Sequence, residues 1–141
     1  MKLVVASDER TKLTDFVVNY LKSQGHQLIL LGALGDSSFD KWVEIGKESA
    51  FMVVEGKVEK GILFCWSGTG VCMAANRIKK ARAVLCWSSE IVRLARKWDN
   101  ANILCMALVN TKEEIAKEMI DTFFSTQFNE EGLNEAHKLD E

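Results

Sequence analysis

The hydrophobic pattern alternates between two kinds of segment along the chain. Short continuous apolar runs, each bounded by turn-forming residues, occur at 3–6, 28–31, 62–65, 81–86 and 102–108. Runs of this length and continuity are typical of strands that are buried on both faces. Between and after them the apolar residues recur at intervals of three or four, which predicts amphipathic helices. These helices are expected at 13–21, 40–55, 69–78, 88–98 and 111–124.

The regular alternation of strand and helix predicts an α/β protein. Buried parallel strands need helices on both faces of their sheet. We therefore expect a three-layer α/β/α fold with a doubly wound, Rossmann-like sheet of five parallel strands. The 141 residues suit one domain, 1–141, with a polar C-terminal tail from about residue 127.

Several local signals refine the helix and turn assignments. Gly25 suits the end of the first helix, and residues 32–38 are turn-like. Ser88 or Ser89 is expected to cap the fourth helix, and Thr111 the last one. The core face of the fourth helix is predicted to comprise Ile91, Leu94, Ala95 and Trp98. The opposite, solvated face is predicted to carry Arg93, Arg96 and Lys97.

Composition and charge restrict the possible partners and compartment. The net charge is -2 without a block of like charges, so neither nucleic acid nor a membrane surface is an expected partner. No apolar run approaches the ~20 residues of a membrane span. The N-terminus resembles a first strand rather than a signal peptide, which predicts a cytoplasmic protein. Four cysteines without CxxC spacing and two histidines predict free thiols and no metal site.

The strand at 62–65 is the main candidate for chemistry, because it ends in Cys65 and is followed by the turn Ser67-Gly68-Thr69-Gly70. Ligands of such sheets bind at the carboxyl ends of the strands. The turn has neither the lysine of a phosphate-binding Walker loop nor the third glycine of a dinucleotide motif. The sixth residue after Cys65 is Val71, whereas a cysteine phosphatase needs arginine there. What remains is a thiol beside a possible anion-binding turn.

Two interpretations of Cys65 stay open on spacing alone. It could be a core thiol that ends a buried strand. It could also be a base that removes a carbon-bound proton, with amides of the glycine turn stabilising the oxyanion that develops next to it. Neither His26 nor His137 is placed to orient it as a nucleophile.

The residues 62–65, the glycine turn and Ala74-Ala75-Asn76 resemble the ribose-5-phosphate isomerase B and galactose-6-phosphate isomerase family. The likeness extends through Ser7-Asp8 and the run 78–86 to residues 120–123, nearly the whole chain. It implies the fold predicted above and a metal-independent aldose–ketose isomerase without a cofactor. It also implies a homodimer, possibly a tetramer, with each site between subunits.

The resemblance assigns roles to particular positions. It implies that Cys65 is the base and that Ser67 lies near the reacting oxygens. The turn residues Gly68, Thr69 and Gly70 would hold an enediolate. Candidate contacts of a sugar or sugar phosphate are Asp8, Glu9, Asp99 and Lys138.

The chain departs from the family pattern around the substrate. Glu9 and the pair Trp98-Asp99 stand where the family has histidine and His-Asn, the latter containing the ring-opening histidine. Asn134 and Lys138 stand where two arginines grip the phosphate, and a Tyr-Pro is missing after Asp40. These changes argue against an ordinary ribose 5-phosphate pocket. They favour a substrate that is already open-chain, such as a four-carbon keto sugar phosphate, or an unphosphorylated sugar.

Other interpretations of these departures stay open. Trp98 could belong to the core, Glu9 to a solvated loop and Asp99 to an ordinary helix end. One cation of the fourth helix could replace a lost phosphate contact. The whole chain could also be a catalytically impaired sugar-binding or regulatory subunit of the same fold.

Overall fold

A computed structural model describes residues 1–35 and 39–141, apart from the side chains of residues 132–134. It contains one five-stranded parallel sheet in the order β2-β1-β3-β5-β4. The strands are β1 Lys2–Ser7, β2 Gln27–Gly32, β3 Lys60–Cys65, β4 Ala83–Leu85 and β5 Ile103–Ala107. The predicted parallel α/β sheet is confirmed. The predicted turn at 32–38 includes residues 36–38, which lie outside the described residues.

The helices cover both faces of the sheet, as predicted. They are α1 Lys12–Ser23, α2 Trp42–Val54, α3 Thr69–Ala75, α4 Ser89–Asp99, α5 Glu113–Ser125 and α6 Leu133–His137. Alternate residues of each strand point to opposite faces. Leu3 and Val5 accordingly join the core beneath α1, α4 and α5, while Val4 and Ala6 join the core beneath α2 and α3. None of the described helices has the length and apolar character needed to cross a membrane.

The structure confirms one predicted helix cap and contradicts another. Ser88 caps α4, because its hydroxyl accepts a hydrogen bond from the Ile91 amide at 3.3 Å. Thr111 does not cap α5, so that prediction was wrong. The cap position is Lys112, whose side chain makes no capping bond, and two glutamates in the first turn favour the helix N-terminus instead.

The core face of α4 is rotated from the predicted one. Its buried residues are Val92, Ala95 and Arg96, whereas Leu94 and Trp98 are exposed. Arg96 is therefore buried, and the prediction that it lies on the solvated face of α4 is wrong. Backbone carbonyls compensate its charge: Nη1 donates to the Ala101 oxygen at 2.6 Å and Nε to the Thr126 oxygen at 3.2 Å.

The C-terminal tail lies against its own chain. The Asn129 amide donates to the Lys97 carbonyl at 2.8 Å, which joins the tail to α4. Farther along, Arg82 Nη1 pairs with Asp140 Oδ1 at 3.1 Å. Because Arg82 directly precedes β4, this ion pair holds the end of the tail at the amino-terminal edge of the sheet.

Candidate active site

A crevice opens at the carboxyl edge of the sheet, between β1 and β3. These strands are neighbours, but α1 leaves β1 on one face and α3 leaves β3 on the other. Diverging connections leave a gap at this point, where parallel sheets commonly bind ligands. The gap here is a cavity of about 290 Å³. Five of the predicted site residues line it: Asp8, Cys65, Ser67, Thr69 and Gly70.

Cys65 lies at the base of this cavity. It is the last residue of β3, and only 5% of its surface is exposed. Its carbonyl accepts hydrogen bonds from the Gly68 amide at 3.2 Å and the Leu108 amide at 3.0 Å. The first bond closes the turn after β3 and the second ties it to the chain leaving β5. The thiol is therefore held on a rigid strand end, partly in apolar surroundings and partly facing the cavity.

The glycine turn brings two hydroxyl groups together in the wall of the same cavity. Gly68 has φ +74°, a conformation that L side chains rarely adopt, and it serves as the N-cap of α3. This bend brings Ser67 Oγ within 2.6 Å of Thr69 Oγ1, and either hydroxyl can donate. Gly68 does not line the cavity itself, so its contribution is to set the path of the turn.

Asp8 enters the cavity from the other side of the crevice. The Ser7 hydroxyl donates to the Glu9 carbonyl at 2.5 Å and accepts from the Glu9 amide at 3.2 Å. This local turn fixes the backbone that carries Asp8. Burial raises the pKa of the Asp8 carboxyl, and the nearby Glu9 charge raises it further, against a lowering backbone hydrogen bond. Glu9 itself does not line the cavity.

Three large apolar side chains form the rest of the cavity wall, and sequence reasoning missed them as site residues. They are Trp42, Trp66 and Met73, with exposed fractions of 41%, 61% and 60%. Trp42 falls on the apolar stripe of α2, so its spacing suggested the core. The only available signal was the unusual number of large apolar residues near the glycine turn.

Two predicted substrate contacts do not reach this cavity within one chain. Asp99 ends α4, which begins at the carboxyl edge of the sheet and runs toward the amino edge. Lys138 belongs to the tail, where Nζ pairs with Glu135 Oε2 at 3.1 Å. The Asn134 side chain lies outside the described residues. Among the described residues, no lysine or arginine lines the cavity.

The chain matches a known protein family over nearly its whole length. Residues 3–141 match the family described as Ribose/Galactose Isomerase. The chain belongs to that family. Membership confirms the resemblance in the sequence and the expected enzyme class, the aldose–ketose isomerases.

Individual members of the ribose/galactose isomerase family match over most of their length. A probable ribose-5-phosphate isomerase B from Mycoplasma genitalium is 33% identical, covering 98% of this chain and 91% of the relative. A D-erythrulose-4-phosphate isomerase from Pectobacterium atrosepticum is 28% identical, covering 91% and 83% respectively. The crystal structure of a ribose 5-phosphate isomerase from Thermotoga maritima superposes with a TM-score of 0.90 at 32% identity, covering 99% of this chain and 97% of that one.

Proposed function

We propose that this family member interconverts an open-chain aldose and ketose phosphate, with Cys65 as the base that moves the proton. The proposal rests on the position of Cys65 in the wall of a cavity that is also lined by the Asp8 carboxylate and by the paired hydroxyls of the glycine turn. A base, an acceptor for sugar hydroxyls and donors for a developing oxyanion are the groups that such a reaction needs.

The proposed reaction passes through an enediolate. The Cys65 thiolate takes the proton from the carbon next to the carbonyl, and the electron pair of that bond forms the carbon–carbon double bond. Negative charge then develops on the former carbonyl oxygen, toward which Ser67 or Thr69 donates. Because these two hydroxyls already bond to each other, one can donate to substrate while accepting from its partner. The proton of the adjacent hydroxyl then moves to the former carbonyl oxygen, so that the adjacent carbon becomes the new carbonyl. Return of the carbon-bound proton from Cys65 to the former carbonyl carbon completes the isomerisation.

Asp8 is assigned to the sugar hydroxyls. Its carboxyl reaches the cavity from β1, on the far side from the glycine turn. A partly buried carboxylate accepts strong hydrogen bonds from hydroxyl groups. In this arrangement the sugar chain lies between Asp8 and the turn, with the reacting carbons above Cys65.

We assign a four-carbon sugar phosphate as the substrate. A sugar esterified at its fourth carbon has no free hydroxyl there to close a five-membered ring, so it needs no ring-opening acid. Trp98, which stands where the family has the ring-opening histidine, cannot transfer protons in that way. The related D-erythrulose-4-phosphate isomerase acts on a substrate of this class, which supports the assignment.

The complete site is proposed to form in a homodimer. Within the described part of one chain the cavity has no lysine or arginine in its lining, and Asp99 and Lys138 are at the far end of the sheet. A second copy could place its Lys138 and Asp99 beside the cavity. The half-exposed Trp42, Trp66 and Met73 would then gain a cover. Phosphate binding would therefore depend on assembly.

The test is solvent deuterium incorporation across aldoses and ketoses, phosphorylated and free. We expect deuterium on the carbon next to the carbonyl of a four-carbon ketose phosphate and weak activity on ribose 5-phosphate. Rapid turnover of ribose 5-phosphate would contradict the substrate assignment. Absence of exchange on every sugar, with sugar binding retained, would identify a catalytically impaired binding subunit.

The role of Cys65 is tested with a matched pair of thiol variants. Cys65→Ala should lower kcat by about 100-fold or more, the usual contribution of a general base, while the far-ultraviolet spectrum stays unchanged. Cys86→Ala removes another buried thiol, on the opposite face of the sheet, and should retain activity. A Cys65→Ala protein with more than about a tenth of the wild-type rate would exclude the thiol as the base.

A further inference from the structure

Two cavities share the same pair of side chains, Trp42 and Met73. Both residues line the Cys65 cavity, and both also line a second cavity of about 420 Å³ between α2 and α3. We call this second cavity the cationic groove, because Lys47 and Arg77 line it; its remaining lining residues are Val43 and Ala74. Trp42 and Met73 therefore form the partition between the reacting centre and the groove.

The indole of Trp42 is the fixed part of this partition. Trp42 is the first residue of α2, and its ring packs on the glycine turn: a β-carbon on Gly70 would lie 2.8 Å from Cδ2 and Cε3 of the ring and 3.2 Å from Cζ3. α2 is itself anchored on α3, because Gly46 lies so close that a β-carbon there would be 2.8 Å from the Val71 carbonyl oxygen. Met73, in contrast, has an unbranched side chain that adapts its shape to its surroundings.

The two cavities differ in charge. Among the described residues no lysine or arginine lines the Cys65 cavity, whereas Lys47 and Arg77 line the groove. Both cations are exposed, and neither is in an ion pair with a described residue. They are available to a phosphate, to which arginine offers paired N–H donors and lysine a point charge. A phosphorylated sugar too long for the Cys65 cavity would thus find complementary charge beyond the partition.

We propose that Trp42 determines the chain length of the substrate by closing the Cys65 cavity on the side of the cationic groove. This inference rests on the proposed isomerase function. With the reacting carbons at Cys65 and the sugar between Asp8 and the turn, each further carbon moves the phosphate away from the thiol. The groove is the adjoining space, and the indole stands between it and the reacting carbons. A four-carbon phosphate fits in front of the indole, whereas a five-carbon phosphate meets it.

The first test compares two ketose phosphates that differ by one carbon, D-erythrulose 4-phosphate and D-ribulose 5-phosphate. Both are open-chain, because neither has a free hydroxyl that can close a five-membered ring on its carbonyl, so ring opening does not enter the comparison. Trp42→Ala should raise kcat/KM for the five-carbon sugar relative to the four-carbon sugar by about tenfold or more, the usual effect of one carbon in an enzyme pocket. An unchanged ratio would overturn the proposal.

Two further variants locate the effect. Trp87→Ala removes another exposed tryptophan, which lines a separate cavity, and should leave the ratio at its wild-type value; a shift equal to that of Trp42→Ala would overturn the proposal. Trp42→Ala/Arg77→Met should lose most of the gain on the five-carbon phosphate, because the phosphate then lacks its guanidinium partner. A gain that persists in this double variant would overturn the role of the groove.

A second test needs no substrate and measures how the size of a reagent limits its access to Cys65. Wild type and Trp42→Ala are alkylated with iodoacetamide and with the bulkier N-phenylmaleimide, and peptide mapping follows Cys65 separately from the other cysteines. Because both reagents attack the thiolate, the ratio of their rates does not depend on the thiolate fraction. Trp42→Ala should raise the relative rate of the bulkier reagent severalfold, and equal ratios in the two proteins would overturn the size limit.

The two tests separate this inference from the proposed function. If neither protein isomerises either sugar phosphate but the ratio of alkylation rates shifts, the proposed function fails and the size limit at Trp42 stands. If wild type isomerises the four-carbon phosphate and Trp42→Ala shifts neither ratio, the proposed function stands and the size limit fails. Trp42→Leu keeps an apolar side chain at the start of α2 and gives the same comparisons where Trp42→Ala does not fold.

Discussion

The indole of Trp42 lies directly on Gly70. A β-carbon at position 70 would come within 2.8 Å of two ring carbons of Trp42, closer than real contacts allow. Where the two helices pack, α2 and α3 approach so closely at Gly46 that a β-carbon there would lie 2.6 Å from Ala74 Cβ. The two glycines therefore allow α2 to bring an aromatic ring to the wall of the Cys65 cavity.

Gly70→Ala should disturb the site more than the fold. Trp42 is half-exposed, so its ring can move outward to accommodate the new methyl group. We expect a loss of about 1–3 kcal/mol in unfolding free energy, as for overpacked sites, together with a raised KM. Urea unfolding and steady-state kinetics measure the two effects. The double variant Trp42→Ala/Gly70→Ala should show coupling of at least about 0.5 kcal/mol; strict additivity would mean that the two residues do not touch.

Gly68→Ala should destabilise the protein strongly. Position 68 has φ +74°, and a β-carbon would lie 2.9 Å from the Met106 carbonyl carbon and 3.1 Å from the Ala107 nitrogen. Backbone atoms of a central strand cannot move aside easily. We expect a loss above about 3 kcal/mol, measured by urea unfolding. Gly25→Ala is the matched control, because φ is +86° there but nothing lies within 4 Å; it should lose only about 1–2 kcal/mol. Equal losses of unfolding free energy in Gly68→Ala and Gly25→Ala would show that the contacts around position 68 do not contribute to the destabilisation.

Asp8→Asn should stabilise the fold near neutral pH while impairing the site. The folded-state pKa of Asp8 is raised, chiefly by burial, so the ionised carboxylate lowers stability above that pKa. The penalty disappears as pH falls through the folded pKa toward the unfolded one. The variant should therefore be more stable than wild type at pH 7, with a difference that shrinks in acid. We expect kcat/KM to fall about 10- to 100-fold through loss of a charged hydrogen-bond acceptor.

A second carboxylate provides the comparison for Asp8. Asp15 is on the adjacent helix α1 and pairs with Arg10 Nε at 2.8 Å in an exposed position. Asp15→Asn should give no gain in stability at pH 7 and no change in kcat/KM. Urea unfolding of the three proteins across pH measures the difference. A stability gain in Asp15→Asn as large as in Asp8→Asn would exclude a specific burial penalty at Asp8.

The sheet and its reactive edge could be predicted because each signal is local. A buried parallel strand is a continuous apolar run, and Cys65 directly ends such a run. The following glycine turn needs a left-handed residue at Gly68, which the sequence shows as glycine. The carboxyl edge then collects Asp8 and the turn by topology alone. Fold and site centre thus depend on residues close together in sequence.

The parts that could not be predicted depend on contacts across the chain. Helical spacing cannot show that a charged residue faces inward, because the acceptors of Arg96 come from loops after α4 and α5. Nor can it show that Trp42 covers a glycine on another helix, since the stripe of α2 suggests only burial. Each depends on packing between elements, which spacing within one element does not encode.

Arg96→Met should be among the most destabilising substitutions in α4. Its guanidinium donates to the Ala101 and Thr126 carbonyls and, at 3.1 Å, to Asn100 Oδ1, while its carbon lies 5.9 Å from the Phe123 ring centroid. Methionine preserves much of the apolar volume but leaves buried acceptors without a donor, so we expect a loss of about 2–4 kcal/mol.

Arg93→Met is the matched control for Arg96, because it lies three residues earlier on the same helix. Its guanidinium is exposed and pairs with Glu90 on the surface, at 2.7 Å, so the variant should unfold at nearly the wild-type urea concentration. Since the Thr126 carbonyl lies where the C-terminal tail begins, Arg96→Met should also increase hydrogen exchange in the tail, whereas Arg93→Met should not. Unchanged tail exchange in Arg96→Met would mean that the Asn129–Lys97 and Arg82–Asp140 contacts hold the tail without Arg96.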